Sequence, residues 1–221
     1  MDIYQAMTER HSVRAFKDQP IEEEKITLLQ KQVNECNNLS GLNIQLITQD
    51  KDAFNTMTAH YGKFSNAVNY FAITGKKSPE NIINAGYYGQ KLVLYAQTMG
   101  LNTCWVALTY NKKKNKILIK DNEKLFCVIA LGYGVNQGNS HKTKSYEQVT
   151  ENAQNAPEWF KKGVQAALLA PTAMNQQKFK FILSDNGVHI KRGLGFYTKL
   201  DLGIVKYHFE TAAGKDNFKW V

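Results

Sequence analysis

Two stretches of this 221-residue chain repeat one another, and that repetition limits the folds open to it. One helix-patterned segment runs into Leu39-Ser40-Gly41-Leu42-Asn43-Ile44-Gln45 and an apolar strand. A second runs into Pro171-Thr172-Ala173-Met174-Asn175-Gln176-Gln177 and another strand, so that both the Asn and the second Gln recur at a spacing of 132. Further on, Asn84-Ala85-Gly86 opens a helix holding Leu92 and Ala96, and Asp201-Leu202-Gly203 opens one holding Phe209 and Ala213, at a spacing of 117. A glycine inside a helix costs about 1 kcal/mol relative to alanine, so glycines at matching positions point to close approach of two helices. Chance likeness of two helix-turn-strand units is the competing account. As a repeat, the chain is a single domain, 1–221, with half-repeats of about 1–150 and 151–221 that together mimic a two-fold dimer. Only the first half carries Arg10-His11-Ser12-Val13-Arg14, so one ligand site is expected.

The local patterns suit an α+β domain in which helices and strands mix without regular βαβ alternation. Helices are expected over about 2–9, 21–37, 78–99, near Tyr146, over 157–170 and over 199–213. Ser78-Pro79-Glu80 supplies a capping side chain and a proline at the first helical position, and Gly100 is placed to end that helix. Strands are expected at 44–48, 68–74, 103–108, 125–131, 178–184 and 188–191, the last two joined by a tight turn at Asn186-Gly187. A polar connection over 136–144 is the one plausible internal linker.

Apolar residues are 43% of the chain and charged residues 21%, which suits a globular core. No stretch is long and apolar enough to span a membrane, and the start lacks a basic segment followed by an apolar one, so a cytoplasmic protein is expected. Cys36, Cys104 and Cys127 are far apart in apolar or helical pattern and read as small core residues, without metal-ligand spacing. The net charge of +9 admits a nucleic-acid partner. However, the densest cluster, Lys112 to Lys116, is short and has no interleaved aromatic residue, which suits a solvated loop. The remaining reading is a site for a small anion.

Arg10-His11-Ser12-Val13-Arg14 places two forked guanidinium groups, an imidazole and a hydroxyl together beyond a short helix, a set able to hold a phosphate monoester. This segment, extended to Ala15-Phe16, resembles the N-terminal signature of the flavin-dependent nitroreductase family. Ala170-Pro171-Thr172-Ala173-Met174-Asn175-Gln176-Gln177 resembles its second signature. The helix from Asn84 to Gly100, the segment Leu101 to Trp105, and Leu131-Gly132-Tyr133-Gly134 with the basic stretch behind it are similar to further family features. The second signature stands late in the chain, and a degenerate copy occupies Leu39 to Asn43. The likeness is therefore greatest to the branch in which two half-repeats in one chain mimic the dimer.

The resemblance implies a nitroreductase-like fold, a mixed and mainly antiparallel sheet flanked by helices, with FMN as cofactor and NAD(P)H as co-substrate. Arg10, His11, Ser12 and Arg14 would hold the phosphate, ribityl chain and pyrimidine edge, with His141, Lys142 and Lys144 adding positive charge. Pro171, Thr172, Ala173, Met174 and Asn175 would cover the other flavin face. Where the family usually has a Glu-Gly pair reaching flavin N5, this chain has Leu108-Thr109, so the contact survives only through backbone atoms. No side-chain nucleophile or metal is required, because the flavin carries the chemistry. Hydride would pass from NAD(P)H through N5 to a nitroaromatic or quinone-like small molecule. A monomer suffices for one site, and a further homodimer is compatible with it. The alternative is an FMN-binding protein without turnover, its substrate face closed by Met174 and lacking the Glu. No Ser-His-Asp set, HExxH, P-loop or GxGxxG is present; His60, His189 and His208 read as unclustered, satisfied or exposed histidines.

Overall fold

The protein is described by a computed structural model covering residues 1–55, 62–185 and 187–221. His60 and Asn186 lie outside the described residues. In chain order the described elements are α1 (Ile3–Glu9), α2 (Glu23–Ser40), β1 (Asn43–Ile47), β2 (Asn69–Lys76), α3 (Pro79–Thr98), β3 (Asn102–Val106), β4 (Glu123–Gly132), β5 (Thr150–Glu151), α4 (Glu158–Leu168), β6 (Phe179–Ser184), β7 (Gly187–Arg192) and α5 (Thr198–Ala213).

The strands form two sheets. The larger is antiparallel throughout, in the order β1-β2-β4-β3. In the smaller, β5-β6-β7, the two-residue β5 runs parallel to β6 and the β6–β7 hairpin is antiparallel. Both faces of the larger sheet are covered, which is why β2 and β4 read as near-continuous apolar runs. Phe71, Ile73, Cys127, Ile129 and Leu131 point to the helical side, and Tyr70, Ala72, Val128 and Ala130 to a second core shared with Val13, Phe16, Phe54 and Phe64. The three cysteines are free and buried.

Local chemistry explains most boundaries. The Ser78 hydroxyl accepts from the Asn81 N–H at 3.0 Å and Pro79 fills the first helical position, while Gly100 follows α3 at φ +78°. Most element ends shift by one or two residues from the expectation, and two differences are larger. α2 continues through Ser40 because Gly41, at φ +67°, is the left-handed cap that ends it, donating to the Asn37 carbonyl. The degenerate signature is thus split between the end of α2 at Leu39 and Ser40, its cap Gly41 and the start of β1 at Asn43, whereas its counterpart at 171–177 is a loop with one 3-10 turn, Ala173–Asn175. The helix expected near Tyr146 is only a 3-10 turn, Glu147–Val149, held by the Thr150 hydroxyl on the Tyr146 carbonyl and followed directly by β5.

α3 and α5 cross at their glycines. A Cβ added to Gly86 would run into the Leu200 carbonyl and stand 3.0 Å from the Ile204 nitrogen; one added to Gly203 would run into the Ile83 carbonyl and stand 2.6 Å from the Tyr87 nitrogen. The contact is reciprocal: each glycine meets the residues three before and one after the other glycine.

Candidate functional site

The first signature folds as a strap along the larger sheet. Arg10 caps α1, its N–H donating to the Ala6 carbonyl. The chain then extends beside β3: Ser12 pairs with Thr103, the Val13 N–H donates to the Thr103 carbonyl, and Phe16 pairs with Gly134. Behind the strap, the Asn102 side chain accepts from the Gly134 N–H and donates to Gln137 Oε1, both at 2.9 Å, and so fixes the start of the basic connection. That connection lies directly on the strap, because a Cβ added to Gly138 would stand 2.8 Å from the Cβ of His11 and 3.0 Å from the Ser12 carbonyl.

Arg10 is the unusual member. Its side chain is 3% exposed, its Nε has no partner among the described residues, and burial pushes its pKa down to about 10. A buried guanidinium N–H without an acceptor is costly, and it is the arrangement an anion would complete. Two imidazoles stand near: burial first, then the charges of Arg10 and His141, hold the His11 pKa below its ordinary value. His141 donates through Nε2 to the Leu168 carbonyl at 3.0 Å. Arg14 is exposed, and both arginines and Ser12 act on the buried Cys104 thiol behind the strap.

The second signature closes against the basic connection. Asn175 Nδ2 and Gln177 Nε2 both donate to the Lys142 carbonyl, at 2.9 and 2.8 Å, and the Lys144 ammonium donates to the Gln177 carbonyl at 2.8 Å. Lys144 is therefore engaged by the loop. Met174, Asn175 and Gln177 all have φ between +44° and +53°, a concentration of left-handed backbone that surrounding bonds must hold in place. The main anchor is Asp201 in the first turn of α5. Its carboxylate accepts from the Ala173 N–H at 2.9 Å and from Gln176 Nε2 at 2.8 Å, and burial pushes its pKa up to about 6 against these bonds.

Beneath the strap runs a buried chain of hydrogen bonds that sequence reading left unassigned. The Ala166 carbonyl can only accept, so His208 Nδ1 carries the proton there, at 2.9 Å. Its Nε2 then accepts from Gln90 Nε2 at 2.8 Å, and Gln90 Oε1 accepts from Trp105 Nε1 at 3.1 Å. Every member is satisfied with the imidazole neutral, and burial, with Arg10 next in effect, drives the His208 pKa down to about 3. The sequence signal was a Gln and a His on the core-facing stripes of α3 and α5. His189, by contrast, is exposed, with Nδ1 against the Val221 carbonyl.

Asp201 and His208 give opposing pH dependences. The raised Asp201 pKa contributes stability that is present below about pH 4 and lost as pH rises through about 6. The depressed His208 pKa contributes stability that is present above about 6.5 and lost as pH falls toward 3. With Asp201→Asn only the histidine contribution remains, so this variant should lose stability between pH 6.5 and 4.5 more steeply than wild type, by an extra amount of order 1 kcal/mol. Urea midpoints of both proteins across that range test this; parallel curves would refute it.

The structure thus brings together the strap, the basic connection and the Pro171–Gln177 loop. Leu108 and Thr109 lie in the bend after β3, with Leu108 61% exposed. Three surface cavities, of about 590, 510 and 400 Å³, lie away from these residues, along the β6–β7 turn and the C-terminal segment, between α3 and α5, and between α1 and α4. Among the described residues no group of three His, Cys, Asp or Glu side chains is placed to hold a metal ion, and no helix is long and apolar enough to cross a membrane.

This architecture is the nitroreductase fold. A structure from Thermotoga maritima MSB8 described as a "putative nitroreductase" matches with a TM-score of 0.69 at 21% identity, over 98% of this chain and 85% of its own. An FMN-dependent nitroreductase from Clostridium difficile R20291 matches at 0.53 and 19% identity, over 66% and 97%. A third such protein, from Desulfovibrio desulfuricans and in complex with FMN, matches at 0.52 and 18%, over 69% and 97%. No curated protein matches the sequence. The model of the family "Putative TM nitroreductase" matches residues 2–213, and the chain belongs to that family.

Proposed function

We propose that this protein is an FMN-dependent NAD(P)H oxidoreductase that reduces small nitroaromatic or quinone-like acceptors at one site per chain. The observation that carries the reading is Arg10: a buried guanidinium with an unpartnered Nε, set among His11, His141 and His208, fits a phosphate monoester. Ser12 and Arg14 extend that set along the strap. Lys142 adds positive charge at the loop, and His141, tied to the Leu168 carbonyl, presents its remaining ring nitrogen. The Pro171–Asn175 loop, stiffened by Asp201, gives a fixed wall for a planar ring, and Leu108-Thr109 offers backbone groups at the bend. When bound, FMN supplies the hydride-transfer chemistry that no side chain here provides. The residues themselves bind its anionic end and orient its ring.

The reciprocal crossing at Gly86 and Gly203 supports reading the chain as an internal pseudo-dimer, because a two-fold contact requires that equivalence. One chain then completes one site. The protein is expected to act in the cytoplasm without a nucleic-acid partner. The second reading, FMN binding without turnover, draws on Leu108-Thr109 replacing the usual Glu-Gly. An absorbance spectrum before and after anaerobic NADPH or NADH, and again after a quinone, separates the two. Flavin bands near one per chain that bleach and return establish turnover; bands that persist favour the binding protein, and no flavin uptake refutes both.

A further inference from the structure

We propose that the loop Gly193–Tyr197, together with Met174, is a docking element that seats this protein on an anionic lipid surface. Met174, Leu194 and Phe196 are 95%, 85% and 82% exposed, the three most exposed large apolar side chains among the described residues. They are not scattered. Gln176 Nε2 donates to the Phe196 carbonyl at 2.7 Å, joining the loop that carries Met174 to the loop that carries the other two.

Both loops are held by bonds on either side. The Gly193 N–H donates to the Lys178 carbonyl, Arg192 Nη1 donates to the Thr198 hydroxyl at 2.7 Å, and Asp201 secures Ala173 and Gln176. The apolar tips are therefore held outward by a fixed backbone. Neighbouring exposed apolar side chains presented in this way call for an occupant.

The surrounding charge says which occupant. Lys142, Lys178 and Arg192 are exposed and Lys199 is half-buried. The Lys178 ammonium reaches the tip itself, standing 2.9 Å from where a Cβ on Gly195 would be. None of these four pairs with a carboxylate among the described residues; the one ion pair in this region is Lys191 with Glu151. Asp201, the acid closest to the loop in sequence, is buried and engaged by Ala173 and Gln176. Leucine, phenylalanine and methionine projecting from a ring of cations match a bilayer boundary, where apolar tips enter the acyl edge and ammonium and guanidinium groups meet lipid phosphates. A second copy of the chain docked on the same patch would bring like charges together. The membrane assignment does not depend on the flavin. If the proposed activity also holds, the loop at Pro171–Asn175 would lie beside the bilayer, where quinone-like acceptors dissolve.

The test is co-sedimentation of the full-length protein with phosphatidylcholine vesicles and with phosphatidylcholine–phosphatidylglycerol vesicles, at low and high salt. Binding is expected to the anionic vesicles, weaker to the neutral ones, and reduced by salt. Leu194→Ser/Phe196→Ser should weaken it by roughly tenfold or more, with an unchanged unfolding midpoint because both side chains are in water. Lys178→Glu should weaken it as well. Failure to bind anionic vesicles, or binding indifferent to Leu194→Ser/Phe196→Ser, would overturn the proposal. So would a concentration-dependent dimer, seen in sedimentation equilibrium and abolished by that double variant, without vesicle binding. A flavin spectrum that fails while vesicle binding succeeds would count against the proposed activity alone.

Discussion

Gly86→Ala is expected to lower the free energy of unfolding by about 3 kcal/mol or more, and Gly203→Ala by a similar amount. An ordinary helical glycine replaced by alanine gains about 1 kcal/mol, so the sign itself is informative. It reverses here because the obstacle on each side is main chain: the Leu200 carbonyl for Gly86 and the Ile83 carbonyl for Gly203. A side chain can rotate away, but a carbonyl in the middle of a packed helix moves only if α3 and α5 separate. The two substitutions act on one crossing, so their effects should fall short of additive: once the first has pushed the helices apart, the second methyl finds room. Urea unfolding of the two single variants and the double variant measures all three terms. A gain in stability from either single substitution would show that the helices do not approach at this point.

Arg10→Met should separate cofactor affinity from stability. At neutral pH the guanidinium is charged in both the folded and unfolded chain, and burial holds the folded pKa down at about 10, so the fold carries a cost from it across the physiological range. Methionine fills similar space without that cost, so the ligand-free variant should unfold at a urea midpoint equal to or above that of wild type. FMN binding should weaken by roughly 10- to 150-fold, the range for a lost charge-assisted hydrogen bond of about 1.5–3 kcal/mol. Fluorescence titration of FMN with both proteins measures the second quantity. Unchanged affinity would remove Arg10 from the site, and a large loss of stability would mean that the guanidinium holds the fold together.

Much of this arrangement was legible from local chemistry. Ser78-Pro79 and Gly100 bracket α3 because a hydroxyl cap, a missing N–H and a permissive backbone each act within a few residues. The paired glycines in helical pattern anticipated the crossing for the same reason: their cost had to be met by something close. What stayed hidden depends on partners far apart in sequence. The extended strap after α1 has no alternating pattern of its own, and its backbone groups find partners only on distant residues, Thr103, Ser65, Asn66, Tyr133 and Val135. His208 reads as an isolated histidine until α3 brings Gln90 and α4 brings Ala166 against it. Lys144 reads as a free cation, yet the second signature supplies the Gln177 carbonyl that occupies it. The degenerate first copy misled at its boundary, since Ser40 and Gly41 serve a turn or a helix end equally well.

The strap has one more consequence, which concerns solubility. In the order β1-β2-β4-β3 the strand β3 has no ladder partner beyond β4 among the described residues, and Ser12 and Val13 lie along its outer side, with Thr103 paired to both. An uncovered strand edge is a template for another chain. The segment that carries Arg10, His11 and Arg14 is therefore also the guard on that edge. Substitutions that loosen its backbone, such as a proline at Val13 that deletes the N–H given to Thr103, would free the edge to recruit strands from other molecules and lead to aggregation before any effect on ligand binding could be measured.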